Sequence, residues 1–137
     1  MRVRKAETRD IPLACELART LDLDYPGMES DTLWVAEGEG EIVGVVSLKT
    51  HPDCLELCAL GVDLRCRGKG TGRALVEALM AEAPGDVHLG TVIPGFFLKC
   101  GFSRAPEIPG TFIEKRKTSW CEGCRIEDCT VMVRRTS

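Results

Sequence analysis

The sequence predicts a single α/β domain over residues 1–137, with a mixed sheet covered by helices, and three observations lead to this fold class. Segments with strand and helix patterns follow one another in the order β-α-β-β-β-α-β-α-β. Two apolar runs joined by Gly38-Glu39-Gly40-Glu41 predict an antiparallel hairpin. A glycine-rich stretch then connects an apolar run to a helical pattern. It predicts a loop directly before a helix, with backbone angles that glycine adopts more readily than other residues.

The first strand is predicted at Val3–Ala6, and Asp10 is suited to cap a helix that runs to about Thr20. Three leucines with helical spacing form the expected apolar face of this helix: Leu13, Leu17 and Leu21. The hairpin strands are predicted at Leu33–Glu37 and Ile42–Leu48.

A further strand is predicted at Cys54–Val62, followed by a helix over Ala74–Ala83. Its apolar stripe consists of four residues: Leu75, Val76, Leu79 and Met80. A short strand, Val87–Thr91, and a short helix, Pro94–Cys100, come next. Residues 103–117 are expected to form mostly loop with one edge strand at most, and Cys129–Val133 is expected to be the last strand.

The stretch Arg67-Gly68-Lys69-Gly70-Thr71-Gly72-Arg73 predicts a phosphate-binding loop. Glycines on alternate positions allow a ligand to approach the backbone closely, and the N–H groups at the start of the following helix favour an anion. Positive charge is supplied by Arg65 and by three residues of the loop itself: Arg67, Lys69 and Arg73. The alternative for so short a pattern is a glycine-rich surface turn.

Spacing excludes two common phosphate loops. The nucleotide-triphosphatase loop requires G-x-x-x-x-G-K-[ST], whereas the Gly68-Lys69 pair is followed by Gly70. The dinucleotide loop G-x-G-x-x-G would require a glycine at Leu75. What remains is Arg67-x-x-Gly70-x-Gly72 between a strand and a helix.

The composition is that of a soluble globular protein, with 44% hydrophobic and 28% charged residues. A net charge of −3 gives no general argument for nucleic-acid or membrane binding, and neither partner is expected. The basic start Met1-Arg2-Val3-Arg4-Lys5 is not followed by an apolar signal core, so we expect a cytoplasmic location. The oligomeric state stays open, a homodimer included.

Eight cysteines are many for this length, and three of them form the cluster Cys121-x-x-Cys124-x4-Cys129. A C-x-x-C pair can bring two thiolates to one zinc ion, but no fourth ligand is evident. A local disulfide or three reduced thiols are the alternatives, so a metal site stays unknown. Cys15, Cys58 and Cys100 lie among apolar residues and are expected to behave as small core residues.

The loop pattern, in its position between a strand and a helix, resembles the acetyl-CoA loop of the GCN5-related N-acetyltransferase (GNAT) superfamily. Two more segments in the same order strengthen the resemblance: Leu57-Cys58-Ala59-Leu60-Gly61-Val62 before the loop and Phe96-Phe97-Leu98-Lys99-Cys100-Gly101-Phe102 after it. The resemblance covers nearly the whole chain. It implies a mostly antiparallel sheet with splayed central strands.

A narrower similarity points to the amino-acid N-acetyltransferase branch, which includes the catalytic domain of N-acetylglutamate synthase. It rests on Leu55-Glu56-Leu57-x-x-Leu60-x-Val62, on Leu89-x-Thr91 and on the tail ending Val131-Met132-Val133. The implied reaction transfers an acetyl group from acetyl-CoA to a primary amine, with an amino acid or another small amine as the leading acceptor.

The resemblance assigns the cofactor contacts to Leu60, Gly61 and Val62 on the strand and to residues 67–73 of the loop. The backbone N–H groups of the loop would hold the pyrophosphate, while Leu60 and Val62 would contact the pantetheine arm. The Leu60 N–H would polarise the thioester carbonyl and stabilise the oxyanion. Gly61 would permit the bulge that splayed strands need.

Glu56 is the candidate general base, at a position where some family members carry a functional glutamate. The competing interpretation is a solvated strand glutamate, or a carboxylate paired with a lysine. His88 and His51 are weaker candidates, because one follows a helix in a short strand and the other opens a turn at Pro52.

One residue departs from the family pattern. Many members place a tyrosine in the late helix to protonate the departing thiolate, and this chain has Phe97 there. A phenylalanine has no proton to donate, so water or another group must serve. Two rival functions stay open. Phe97 and the tail cysteines support a CoA-binding or metal/redox-sensing regulatory module without turnover. A protein N-terminal or lysine acetyltransferase is the other, because the resemblance places the acceptor groove in variable early helices and the tail.

Overall fold

A computed structural model describes residues 1–115 and 129–136 of the chain. Seven strands are present among these residues: β1 (Arg2–Lys5), β2 (Thr32–Gly38), β3 (Glu41–Thr50), β4 (Leu55–Val62), β5 (Val87–Thr91), β6 (Ser103–Arg104) and β7 (Thr130–Arg134). Four α-helices accompany them: α1 (Ile11–Thr20), α2 (Thr71–Glu82), α3 (Pro94–Lys99) and α4 (Gly110–Lys115). The predicted mixed α/β fold class is confirmed.

The contacts within the chain divide it into two compact units. The first comprises Met1–Lys49 and Leu57–Ala83, and the second comprises Thr50–Glu56 with the described residues from Pro84 onward. The boundary falls inside β4, after Glu56. The expectation of one domain over the whole chain stays a prediction.

In the first unit the strand order is β1-β2-β3-β4. The pairs β1–β2 and β2–β3 are antiparallel, and the predicted hairpin is confirmed by its turn at Glu39 and Gly40. Alternate residues of β2 face opposite sides, as strand geometry requires. Leu33 and Val35 pack with residues of α1, and Trp34 donates a hydrogen bond from Nε1 to Glu82 of α2 at 2.6 Å.

Helix α1 buries a different face from the one predicted. Leu13 is 59% exposed, whereas Ala14 and Ala18 are completely buried in a cluster with Met28, Leu33, Val35 and Val45. Leu17 packs partly against that cluster. Alanine occupies the inner positions because a small side chain lets the helix approach the strands closely, so the leucine stripe was the wrong choice of face.

Helix α2 begins at Thr71, three residues earlier than predicted, and its predicted apolar stripe is confirmed. The four residues of this stripe are all buried: Leu75, Val76, Leu79 and Met80. A Cβ added to Gly44 of β3 would lie 3.0 Å from Cδ1 of Leu75, so α2 rests directly on that strand. This contact fixes the position of the N-terminal part of α2, and of the loop before it, relative to β3.

In the second unit, the first two residues of β4 pair with β5 in parallel, through Leu55–Val87 and Glu56–His88. Strand β7 then pairs antiparallel with both β5 and β6. Helix α4 was not predicted, because residues 103–117 were expected to be mostly loop. Asp53 accepts a hydrogen bond from the backbone N–H of Thr111 at 3.1 Å, which satisfies one donor at the start of this helix.

Within the two described ranges, no helix has the length and apolar character needed to cross a bilayer.

Candidate active site

The glycine-rich loop has a backbone conformation that requires glycine at two positions. Gly68 and Gly70 have φ angles of 82° and 79°, in the left-handed region, and Gly70 is the residue that precedes α2. Other residues pay about 1–2 kcal/mol for this conformation. No other part of the described chain lies within 4 Å of a Cβ built on either glycine, so the backbone angle, not crowding, is the reason for glycine here.

The loop leads the chain into the N-terminus of α2. The N–H groups of its first turn have no partner inside the helix, as in any α-helix. The first turn contains no acidic residue, and the backbone N–H of Ala74 bonds to the carbonyl of Gly70 at 3.0 Å. This end of a 12-residue helix therefore carries positive charge that favours an anion.

The four cationic side chains predicted to lie in the loop or directly before it have different contacts in the structure. Arg65 is engaged with carboxylates, since its guanidinium lies 3.1 Å from Asp63 and 3.3 Å from Glu41. Arg67 donates from Nε to the carbonyl of Val62 at 3.1 Å and so connects the loop to β4. Lys69 and Arg73 are exposed and have no ion-pair partner in residues 1–115 or 129–136. These two are the cations best placed to meet a ligand.

Strand β4 is irregular at Ala59. This residue has φ 52° and lies between Cys58 and Leu60 in the middle of the strand. The bulge expected at Gly61 stays a prediction, and the unusual backbone angle lies two residues earlier, at Ala59. Gly61 is also needed for space, because a Cβ there would come within 2.5 Å of Leu23 and 2.8 Å of Leu21. No pattern in the sequence marks Ala59.

Glu56 and Leu60, the two predicted catalytic residues, lie on the same strand, four positions apart. Glu56 is 3% exposed, which excludes the solvated strand glutamate considered above. Its Oε1 lies 2.8 Å from Nε2 of His51. His51 is placed by a turn in which its backbone N–H bonds to the carbonyl of Cys54 at 2.9 Å. From the sequence, we interpreted His51 as a residue that opens a turn and as a weaker candidate for the base. The structure shows in addition that it contacts Glu56.

His88 lies on β5, opposite Glu56 in the parallel register. Its Nδ1 is buried and has no hydrogen-bond partner in the described part of the chain. Burial lowers the pKa of His88, since the charged imidazolium is disfavoured away from water. The ring centroid lies 6.4 Å from that of Phe112. These surroundings favour a neutral imidazole.

Phe97 is 6% exposed and lies in an aromatic group on α3. Its ring meets Phe96 edge-on at 5.0 Å and Phe102 at 5.8 Å between centroids. Such edge-to-face pairs stabilise a core by about 0.5–1.5 kcal/mol beyond their area. Phe97, where the resemblance leads us to expect a tyrosine, is thus an apolar packing residue.

The cysteine cluster is only partly within the described residues. Cys129 is described and free, whereas Cys121 and Cys124 lie outside the described ranges. Of the residues that are described, no group of three or more His, Cys, Asp or Glu could hold a metal ion. Burial raises the pKa of Cys54 to about 11, so this thiol is mostly protonated at neutral pH. Cys100 is buried, as predicted, and Cys15 and Cys58 are half-buried.

Comparison with known families gives a match over residues 4–102 to the acetyltransferase (GNAT) family. The matched segment begins inside β1, extends past α3, and includes β4 and the glycine-rich loop. It ends at Phe102, the last residue of the third segment on which the resemblance was based.

Solved structures with the same fold include N-acetylglutamate synthase from Neisseria gonorrhoeae, complexed with coenzyme A and N-acetyl-glutamate. The TM-score is 0.78 at 22% identity, over 99% of this chain and 35% of that one. Rv2747 from Mycobacterium tuberculosis, solved in complex with CoA, has a TM-score of 0.73 at 22% identity and is covered completely, as is this chain.

Among curated proteins, N-acetylaspartate synthetase from Rattus norvegicus is 39% identical over 64 residues. The match covers 42% of this chain and 21% of the rat protein, so the chain corresponds to about a fifth of that relative.

Proposed function

Because the chain belongs to the acetyltransferase (GNAT) family, we propose that it transfers the acetyl group of acetyl-CoA to the primary amine of an amino acid or another small amine. The observation that carries the proposal is the succession of an irregular β4, a loop with left-handed Gly68 and Gly70, and the N-terminus of α2. This succession supplies hydrogen-bond donors for a thioester and for a pyrophosphate on one continuous stretch of chain.

The pyrophosphate of acetyl-CoA would be bound by the backbone N–H groups of residues 67–73. Lys69 and Arg73, which are exposed and not engaged with described carboxylates, would neutralise part of its charge. Thr71 is 2% exposed, so its contribution would come from the backbone N–H. The pantetheine arm would extend along Leu60, Gly61 and Val62 of β4.

The reaction begins with loss of a proton from the acceptor ammonium, and Glu56 is the proposed base. The neutral amine attacks the thioester carbon, a C–N bond forms, and the Leu60 N–H stabilises the oxyanion. The tetrahedral intermediate collapses with cleavage of the C–S bond. A second amine proton leaves, one proton is taken up by the CoA thiolate, and one is released to solvent.

Phe97 cannot protonate the thiolate, because its ring is apolar and buried. We therefore assign that step to solvent water. Positioning of the two reactants and polarisation of the carbonyl can supply most of the acceleration in such a mechanism.

The acceptor class is proposed from the proteins that this chain resembles. One is named a synthase of N-acetylglutamate and one a synthetase of N-acetylaspartate, so both names refer to the amine of an acidic amino acid. Glutamate and aspartate are accordingly the first acceptors to test, ahead of other amino acids, polyamines and peptides.

The test measures formation of free CoA from acetyl-CoA by chromatography, across that panel of acceptors. Chromatography avoids interference from the eight cysteines of the protein. Turnover with amino acids and none with peptides is the expected result. Turnover with peptides alone would establish a protein acetyltransferase. Binding of CoA without turnover would favour the regulatory module, and failure to bind CoA would overturn the proposal.

A further inference from the structure

A completely buried hydroxyl lies next to the irregular part of β4. Ser47 of β3 is 0% exposed. Its Oγ lies 3.2 Å from the carbonyl oxygen of Cys58 and 2.7 Å from the hydroxyl of Tyr25. Tyr25 in turn lies 2.6 Å from Oδ2 of Asp31. This chain of one buried and two half-buried polar side chains contacts β4 at Cys58, the residue before Ala59.

The donors and acceptors around Ser47 determine which groups share its hydroxyl proton. The Asp31 carboxylate only accepts, so the single hydroxyl proton of Tyr25 is donated to it. Burial, followed by this hydrogen bond, raises the pKa of Tyr25 far above its ordinary value, so the phenol keeps its proton. Ser47 therefore has one proton for two acceptors, the oxygen of Tyr25 and the carbonyl of Cys58.

The Cys58 carbonyl belongs to the peptide that links Cys58 to Ala59. A hydrogen bond to this oxygen restrains the plane of the peptide. The φ angle of Ala59 describes the rotation about its N–Cα bond, which directly follows that peptide. The other side of this rotation is also restrained, because Ala59 packs against the core cluster that contains Ala14, Ala18 and Val35. Two contacts therefore hold Ala59 at φ 52°, a conformation that a residue with a Cβ seldom adopts.

The next N–H along the chain after Ala59 is that of Leu60. Its direction follows from the conformation of Ala59, since only the ψ rotation of Ala59 separates it from the restrained Cα. If Ala59 relaxed to an ordinary strand conformation, this N–H would turn away from its present direction.

We propose that Ser47 is a positioning residue, which holds the Cys58–Ala59 peptide and thereby directs the Leu60 N–H toward the thioester oxygen. The assignment rests on the proposed function, because it gives the Leu60 N–H its part in acetyl transfer. Ser47 acts through the backbone and does not itself touch the reacting atoms.

The experiment compares Ser47→Ala with Val46→Ala, a matched control on the same strand. Val46 is also 0% exposed, but it lies on the other face of β3 and does not belong to the cluster against which Ala59 packs. Both variants are expected to lower the melting temperature. Only Ser47→Ala is expected to change the chemical shift and the hydrogen-exchange rate of the Leu60 amide in NMR spectra of the 15.0 kDa protein.

In kinetic assays, Ser47→Ala is expected to lower kcat about tenfold with an unchanged KM for acetyl-CoA, since an oxyanion donor acts mainly in the transition state. Tyr25→Phe removes one acceptor of the shared proton, so Ser47 donates to Cys58 alone. We therefore expect Tyr25→Phe to keep kcat within about twofold and the Leu60 amide shift near its original value.

An unchanged Leu60 amide in Ser47→Ala, or an equal change in Val46→Ala, would overturn the assignment. A Tyr25→Phe variant that loses as much kcat as Ser47→Ala would also overturn it, since the proton would not then be shared. If Ser47→Ala does not fold, Ser47→Cys replaces it, with a thiol as a weaker donor. If the protein proves to have no turnover, the proposed function fails, and the NMR comparison still decides the role of Ser47.

Discussion

His51 Nε2 lies 2.8 Å from Oε1 of Glu56, and both side chains are shielded, with 15% and 4% of their surfaces exposed. When Glu56 is ionised, its oxygen can only accept, so Nε2 of His51 carries the proton between them. This contact holds the carboxylate in one orientation and gives a buried base a polar neighbour closer to solvent.

Substitution Glu56→Gln should lower kcat by about 10²- to 10⁴-fold, because the amide cannot accept the proton of the ammonium. The dissociation constant for CoA should stay unchanged, since the proposed cofactor contacts lie between residues 60 and 73. Calorimetric titration with CoA and an acceptor assay check the two parts. Glu107→Gln, a change of an exposed glutamate, is the control and should alter neither.

Substitution His51→Ala should move the acidic limb of the pH–rate profile to higher pH. The ionised form of Glu56 loses a hydrogen-bond donor in this variant, so deprotonation becomes less favourable. His51→Gln keeps an N–H donor and should leave the limb closer to its original position. Equal profiles for all three proteins would show that His51 does not influence the base.

Substitution Gly70→Ala should weaken CoA binding, because the residue before α2 has φ 79° and alanine avoids this region at a cost of about 1–2 kcal/mol. A cost of that size corresponds to roughly a 5- to 30-fold increase in the dissociation constant if the loop relaxes. Gly85→Ala is a suitable control, since that glycine lacks a positive φ and a Cβ there would make an ordinary 3.9 Å contact with Leu55. Similar CoA affinities for both variants would argue against a role of the Gly70 conformation.

Substitution Gly61→Ala should destabilise the first unit by about 1–3 kcal/mol through crowding against Leu21 and Leu23. The contacting atoms are the ends of flexible side chains, so a smaller neighbour should relieve the effect. We expect the double variant Gly61→Ala with Leu23→Ala to lose less stability than the sum of the two single changes. Urea unfolding of the four proteins measures this coupling, and strict additivity would contradict it.

Asp10 should contribute to stability above about pH 4 and lose that contribution in acid. A hydrogen bond from Arg4, and then one from the backbone N–H of Glu7, lower the pKa of Asp10 from 3.8 to about 2. The folded state therefore favours the ionised form, and its advantage disappears as pH falls from 3.8 toward 2.

Substitution Asp10→Asn leaves the shielded Arg4 without its main partner and should cost about 3 kcal/mol at neutral pH. Glu16→Gln, in the exposed pair with Arg19, should change the free energy of unfolding much less, because water screens an exposed ion pair. Unfolding in urea at pH 7 and at pH 3 compares them. A loss of stability in Asp10→Asn that is as large at the lower pH would contradict the assigned role of ionisation.

The sequence predicted most of the fold because the local signals were strong. Residues close in sequence determine the hairpin turn, the apolar stripe of α2 and the strand β5. The inner face of α1 was not predictable, because a leucine stripe and an alanine stripe have the same helical period and only the distance to the sheet selects Ala14 and Ala18. Helix α4 was missed because its N-terminus is satisfied by Asp53, 58 residues earlier.

The candidate site divides in a similar way. The loop glycines were recognisable from type and spacing, and Glu56 was nominated by the family resemblance. The angle of Ala59 was not predictable, because an alanine disfavours a positive φ and nothing in the local sequence indicates one. That angle is set by Ser47 and by the core packing of the first unit, and neither is visible locally. The contact between His51 and Glu56 depends on the turn from His51 to Cys54 in the same way.

The left-handed Ala59 has a consequence for the timing of conformational work. Contacts inside the chain, a serine hydroxyl and a packed methyl group, hold the residue in its unfavourable angle. The rotation is therefore completed once, when the polypeptide folds, and does not have to be repeated each time a thioester arrives. The strand therefore has this conformation before a ligand binds. Part of the stability of the β3–β4 region is used to keep the Leu60 N–H in one orientation.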